Sequence, residues 1–246
     1  MVQNLNPHIS VDCVVFGFNS QELMILLIDR DLEKDKKTSG RKKLPGNLII
    51  RHELLEKSAT RTLTEYTGLE DIYLRQFGVY DDPKRLSPQE DLTWLQQTSG
   101  MQVDRIVTIS YYSLIKLDES KKTEPSVAFN AKWYPVHEID HLKLIFDHRT
   151  IIHDGLQRLQ QELLTEPLGY ELLPEKFTLN QLQRLYEVIL GMEIDNRNFR
   201  KRINRIKYII PLNEFQKGVA HKPARLHLFD REKFEEFKTR NTGFII

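Results

Sequence analysis

Apolar positions follow two distinct rhythms along this chain. Near the N-terminus they are consecutive or alternating. Ile9 to Phe18 (ISVDCVVFGF) predicts a buried strand, and Glu22 to Asp29 (ELMILLID) its partner across Asn19-Ser20. Asp31 to Lys43 is charged and includes Ser39-Gly40, the composition of an exposed loop. Helical spacing then runs from Glu53 to Tyr66 and closes on Thr67, Gly68 and Leu69. Leu74–Tyr80, Asp104–Lys116 and Ala128–Pro135 predict further strands, the first two separated by a long polar excursion through Gly100. Thr150–Leu164 predicts a second helix. Strands interrupted by helices and irregular loops imply a mixed α/β sandwich.

Beyond that helix the rhythm becomes mainly helical. LLTEPLGYELLPEKFT, Leu163 to Thr178, holds two prolines and a glycine and reads as a connector, dividing the chain into residues 1–168 and 169–246. Thr178 can cap a helix whose apolar residues Leu179, Leu182, Leu185, Val188 and Ile189 recur at three or four, and Gly191 is placed to end it. After a MEID turn, Asp195 can cap NRNFRKRINRIKYIIPL. There Phe199, Ile203 and Ile206 form a buried stripe, while Arg197, Asn198, Arg200, Lys201, Asn204 and Arg205 occupy the other faces. Helix, short turn and cationic helix fit a helix-turn-helix. EFQKGVAHKPARLHLFD adds two short strands around Lys217-Gly218 and His221-Lys222-Pro223, a basic hairpin resembling the wing of a winged helix. Arg and Asn suit bidentate contacts with base edges, whereas lysines at a wing suit phosphates. The DNA-binding set is therefore Arg197, Asn198, Arg200, Lys201, Asn204, Arg205, Lys217, His221, Lys222 and Arg225; a wing used for protein contacts is the alternative.

Composition supports this division. With 40% hydrophobic and 29% charged residues, the 246-residue chain has the makeup of a soluble globular protein large enough for two domains. The net charge of +1 hides an asymmetry. Residues from Lys176 onward carry 15 Lys and Arg against 8 Asp and Glu, which leaves 21 against 27 in residues 1–175. An acidic front and a basic back suit a rear domain that meets a polyanion. No apolar run is long enough to span a bilayer, MVQNLNPHIS lacks the order of an export signal, and the single cysteine, Cys13, fits a reducing cytoplasm and a small buried hydrophobe.

The stretch LPGNLIIRHELLEKSATRTLTEYTGL, Leu44 to Leu69, resembles the signature box of the Nudix family: Gly, five residues, Glu, seven residues, then Arg-Glu-apolar-any-Glu-Glu-any-Gly-apolar. Fixed on Gly68 and Leu69, the register aligns Glu53, Arg61, Leu63 and Glu65 with the box. The opening Gly becomes Asn47, with Gly46 just before it, and the two remaining carboxylates become Thr62 and Tyr66. The resemblance implies three glutamates at positions 62, 65 and 66 converging on one helical face, where they would hold magnesium to polarise a pyrophosphate. Only Glu65 survives at that face, and Arg61, at i−4, can pair with it. The box therefore predicts a scaffold without metal, cofactor or catalysis.

Other residues point to a small ligand. Asp12, amid Val11, Cys13, Val14 and Val15, must be paired within the fold or face a polar pocket. Lys43 enters the same cleft by the resemblance. FDHR, Phe146 to Arg149, adds Asp147 and His148 at the start of a helix, where Asp147 can equally be the N-cap. Tyr80, Asp81, Arg105 and Tyr111 are further candidates, with packing or rim roles as alternatives. Hydrogen-bonding side chains of this kind suit a polyhydroxylated ligand better than a diphosphate.

Taken whole, the chain is similar to the Nudix-related transcriptional regulators. That resemblance, which includes FDHR, FTLNQLQRLYEVILG, RNFRKRI and KPARLHLFD, implies an α+β chain: an N-terminal Nudix-like α/β/α sandwich followed by a C-terminal winged helix-turn-helix. It implies a homodimeric regulator on a palindromic double-stranded operator, and a small effector is expected to release it. Some members sense ADP-ribose, and a branch resembling this chain responds to L-arabinose. A pentose is the expected effector, with ADP-ribose sensing, or hydrolysis of ADP-ribose-like diphosphates, as the alternative.

Overall fold

In a computed structural model that describes residues 4–29, 40–68, 73–87, 89–117, 130–165, 168–220 and 222–240, the first strand is longer than its apolar run. β1 (Leu5–Phe18) is partly exposed up to Ile9 and buried from Ser10 onward. Its pleat sorts the interior. Val11, Cys13 and Val15 pack with Ala59, Leu63 and Tyr66 of α1 (Leu55–Thr67). Cys13 is the small buried hydrophobe foreseen, its thiol pushed up by burial. Val14, on the other face, meets α3 (His148–Thr165), where a Cβ on Gly155 would stand 3.4 Å from Val14 and 3.2 Å from Phe77. Even-numbered β1 residues, Asp12 among them, therefore turn toward α3.

Six more strands complete the front sheet: β2 (Leu23–Asp29), β3 (Lys42–Lys43), β4 (Gly46–Ile50), β5 (Leu74–Tyr80), β6 (Val107–Lys116) and β7 (Ala131–Pro135). Their order is β3-β2-β1-β6-β5, with β4 on β1 and β7 on β2. β4 runs antiparallel to β1 with Gly46 opposite Asp12, and a Cβ at Gly46 would stand 1.9 Å from Asp12 Oδ1. Only glycine lets the carboxylate and this backbone pass.

The polar excursion is not a bare loop. It contains α2 (Gln89–Ser99), which packs through Leu92 and Leu95 onto Leu48, Leu86, Val103 and Ile106. α1 begins two residues later than its spacing predicts, because Glu53 folds back to accept from the Ile50 N–H and from Arg61. Gly68 closes it at φ 70°, donating its N–H to the Thr64 carbonyl. α3 begins two residues earlier than predicted, at His148.

The chain divides into one compact unit of Met1–Gly17 with Leu23–Leu156 and another of Phe18–Glu22 with Gln157–Ile246, so the division falls inside α3, ahead of the connector. In the rear unit β8 (Lys176–Thr178) leads into α4 (Leu179–Leu190). Thr178 and Gln181 form the reciprocal N-terminal cap, and Gly191 takes φ 67° at the other end. α5 (Asn196–Ile203) follows, Asp195 Oδ1 accepting from the Asn198 N–H at 2.8 Å. α5 is shorter than its basic run. Bonds from Arg205 and Ile206 N–H to the Arg202 and Ile203 carbonyls tighten its end, and Tyr208 is drawn into an aromatic cluster with Phe229 and Phe234. β9 (Ile209–Phe215) and β10 (Arg225–Phe229) complete a sheet ordered β8-β10-β9, and α6 (Arg231–Arg240) closes the described chain. Among the described residues no helix is long and apolar enough to cross a membrane.

Candidate functional site

The box helix keeps its carboxylates occupied. Arg61 donates Nε to Glu53 Oε1 at 2.9 Å and Nη2 to Glu53 Oε2 at 2.8 Å, with Glu65 Oε1 3.4 Å from Nη1. Thr62 is fully buried, and Tyr66 is buried with its hydroxyl near Lys43. Among the described residues no group of three or more His, Cys, Asp or Glu is arranged to hold a metal ion. The magnesium of the Nudix box does not fit these residues: the surviving carboxylates are held by a guanidinium, and the positions that should supply the others carry a hydroxyl and a phenol.

The front unit holds a cavity of about 340 Å³, within the range of ligand pockets. Asp12 of β1, Lys43 of β3 and His148 of α3 line it together, and they are joined by Arg85, from the segment before α2, and by Trp94 of α2. Lys43 Nζ donates to the Gly46 carbonyl at 3.0 Å and lies 5.3 Å and 6.0 Å from the Tyr66 and Trp94 ring centres. Arg85 is buried between carboxylates. Its Nε and Nη2 reach Asp147 at 3.0 and 2.8 Å, Nη1 bonds Thr108, and Asp12 Oδ2 stands 3.8 Å away. Burial raises the Asp12 carboxyl against the pull of Arg85 and Lys43. The two alternatives for Asp12 prove compatible: it is paired and it faces the cavity.

The other front candidates lie elsewhere. Tyr80, Asp81 and Asp147 line a neighbouring depression on the far side of Arg85. Tyr80 donates to Asp154 Oδ2 at 2.8 Å. Asp147 gives both side-chain oxygens to Arg85 instead of capping α3, and its backbone carbonyl accepts from the Ile151 N–H in the first turn. Arg105 is exposed and donates to the Asp81 carbonyl at 3.4 Å, away from the cavity lining. Tyr111 belongs to the α1-facing core, with its hydroxyl 3.3 Å from Gln76 Oε1. Arg85 and Trp94 are among the cavity residues that sequence reasoning missed. Phe146, also lining the cavity, takes φ 49°, unusual for a bulky side chain, and edges the His148 ring.

His148 is a neutral imidazole. Its Nδ1 accepts from the Leu44 N–H at 3.0 Å, which assigns the proton to Nε2. Burial, assisted by Lys43 and Arg85 and opposed by Asp147, lowers its pKa to about 3. The folded-state value lies below the unfolded one, so the stability it contributes is complete above about pH 6.5 and is lost as pH falls toward 3. At pH 5.5 the loss should be about 1.4 kcal/mol. Asp12, raised by burial, acts with the opposite sign. His148→Asn keeps an acceptor for Leu44 without titrating and leaves Asp12 in place. Urea unfolding of both chains at pH 7.5 and 5.5 isolates the His148 contribution, and equal losses would show that the imidazole takes up its proton in the folded state.

In the rear unit, Phe199 and Ile203 turn α5 inward, and Arg197, Asn198, Arg200 and Lys201 are exposed along its outer faces. Asn204 and Arg205 are exposed too, but on the turn after the helix. Arg200 Nη2 donates to Asn180 Oδ1 at 2.7 Å, which orients it from α4. Lys217 and Lys222 are exposed in the β9–β10 loop, around Gly218 at φ 72°. His221 lies outside the described residues. Arg225 donates to the Leu212 carbonyl at 2.6 Å and to Asn213 Oδ1 at 3.1 Å, bracing the hairpin from within.

Helix, turn, cationic helix and basic hairpin behind a Nudix-type sheet define a Nudix domain joined to a C-terminal winged helix domain. Residues 169–229 match the family described as the NrtR DNA-binding winged helix domain. Over its length the chain is similar in fold to NrtR, which also joins a Nudix domain to a winged helix domain. It is 26% identical over 232 residues to the "ADPR responsive transcriptional repressor NtrR" of Acinetobacter baylyi, a span covering 94% of this chain and 85% of that protein. Shewanella oneidensis NrtR, solved with a 27mer DNA, is similar at 26% identity and a TM-score of 0.71, covering 92% of this chain and 95% of that one. A MutT/nudix family protein from Enterococcus faecalis, at 23% identity and a TM-score of 0.65, shares the fold over 91% of this chain and 88% of its own.

Proposed function

We propose that this chain is a transcriptional repressor that grips a palindromic operator as a homodimer through α5 and the β9–β10 wing, and releases it when an ADP-ribose-like nucleoside diphosphate sugar fills the front cavity. The similarity to an ADPR-responsive repressor across 94% of the chain, spanning both the cavity and α5, carries this reading. It favours ADP-ribose over the L-arabinose that the sequence led us to expect. The cavity is compatible: Lys43 offers a cation, Trp94 and Tyr66 offer rings, and Asp12 and His148 offer polar partners. The front domain acts without hydrolysis, because Arg61 ties Glu53 and Glu65, and Thr62 and Tyr66 replace the remaining metal ligands.

Effector and operator affinities are then reciprocally linked, with a coupling of about 1–3 kcal/mol. Fluorescence anisotropy on an operator selected from random duplexes should show affinity falling about 5- to 150-fold at saturating ADP-ribose. The same ligand at about a hundred times its Kd should stabilise the folded chain by roughly 2.7 kcal/mol. Release and stabilisation by L-arabinose but not ADP-ribose would return the pentose. Magnesium-dependent turnover of ADP-ribose that disappears in Glu65→Gln would make the chain a hydrolase.

A further inference from the structure

Three side chains meet at one end of the cavity without bonding to one another. Asp12 Oδ2 lies 3.8 Å from Arg85 Nη2 and 3.7 Å from His148 Nε2, both beyond hydrogen-bond length. All three residues line the cavity while being more than nine-tenths buried. Much of their remaining capacity is committed. Arg85 holds Asp147 and Thr108, and His148 Nδ1 accepts from Leu44. An acceptor oxygen therefore stands near two donors at the wall of the ligand cavity.

A group that satisfies all three must donate and accept at once. A phosphate oxygen only accepts and would meet the Asp12 carboxylate with repulsion; an ammonium only donates and would meet Arg85. A hydroxyl does both. We infer that Asp12, Arg85 and His148 form a notch that reads a sugar hydroxyl of the effector, the hydroxyl donating to Asp12 Oδ2 and accepting from His148 Nε2–H and Arg85 Nη2. The inference rests on the effector reading above and deepens it. The sugar end of a nucleoside diphosphate sugar enters first, and its phosphates lie toward Lys43. Asp12 becomes a specificity residue, one that would repel a ligand presented phosphate-first.

The sign of one substitution tests this. Calorimetric titration of the full chain with ADP-ribose and with ADP, which lacks the terminal ribose, should show ADP-ribose favoured. Asp12→Asn should weaken ADP-ribose by about 10- to 100-fold, the worth of a hydrogen bond to a charged group, and leave ADP nearly unchanged. His148→Asn should erode the same preference. Tighter ADP-ribose binding in Asp12→Asn would place an anionic group at the notch and overturn the inference, as would an equal change for both ligands. Should the wild-type chain bind neither nucleotide, the effector reading falls. Free D-ribose and L-arabinose then test the notch: binding lost in Asp12→Asn upholds it, and no binding of either sugar overturns it as well. Asparagine is isosteric with aspartate, and a protein that still unfolds cooperatively in urea confirms that the variant is folded.

Discussion

Arg85→Met should destabilise the front unit by about 3–5 kcal/mol, the usual consequence of removing one partner from a buried ionic cluster. The guanidinium side chain is 3% exposed, and it is the shared cation of two carboxylates, Asp147 in a two-bond fork and Asp12 at 3.8 Å. Methionine fills much of the volume, so the loss would be electrostatic more than a cavity effect. Asp147 is 21% exposed and can rehydrate, which favours the lower half of the range; Asp12, at 10%, is more deeply buried. Urea denaturation followed by intrinsic fluorescence measures the loss. Combining Arg85→Met with Asp147→Leu should recover part of it, because the second substitution removes an orphaned charge. A single-variant loss below about 1 kcal/mol would mean that the cluster is hydrated enough to dispense with its cation.

That cluster also marks where sequence reasoning stopped. Asp12 was legible because a carboxylate inside an apolar strand has few affordable fates, and His148 because FDHR concentrates polar groups at a helix start. Arg85 was not. It stands in a polar excursion with no strong periodicity, and its partner Asp147 is 62 positions away. Trp94 was hidden for a related reason: α2 is a short helix whose apolar contacts go to a small satellite cluster instead of the main core. Tyr111 shows a different limit. The pleat fixes that Thr108 and Tyr111 point to opposite faces of β6, yet which face meets Asp12 depends on pairing across 98 residues, seen in the Ser10–Thr108 contact. The winged helix was easier because its signals are local. A cap at Thr178, apolar spacing of three and four and a glycine at 191 lie within one helix. The end of α5, which that spacing left open, comes at Ile203, ahead of Tyr208 and its aromatic cluster.

The α5 surface carries the other large effect. Replacing Arg197, Arg200 and Lys201 together by alanine should lower affinity for a selected operator by about 10³-fold or more, toward the level of non-specific binding. All three side chains are exposed, so the variant should fold, and Phe199 and Ile203 keep the helix seated. The single variants should separate by mechanism. Arg197→Ala, at a position suited to a base edge, should relax preference at one base pair by roughly 1–3 kcal/mol. Lys217→Ala at the wing should weaken every sequence alike and flatten the dependence of log K on log salt by about 0.9. Arg225→Ala should behave differently again, since its guanidinium braces Leu212 and Asn213 within the hairpin. Its loss should loosen the wing without a full unit of salt slope. A triple variant that binds operator as the wild-type chain does would move the DNA interface off α5. A uniform loss on all sequences for Arg197→Ala would make that arginine a phosphate contact and leave base reading to Asn198 and Arg200.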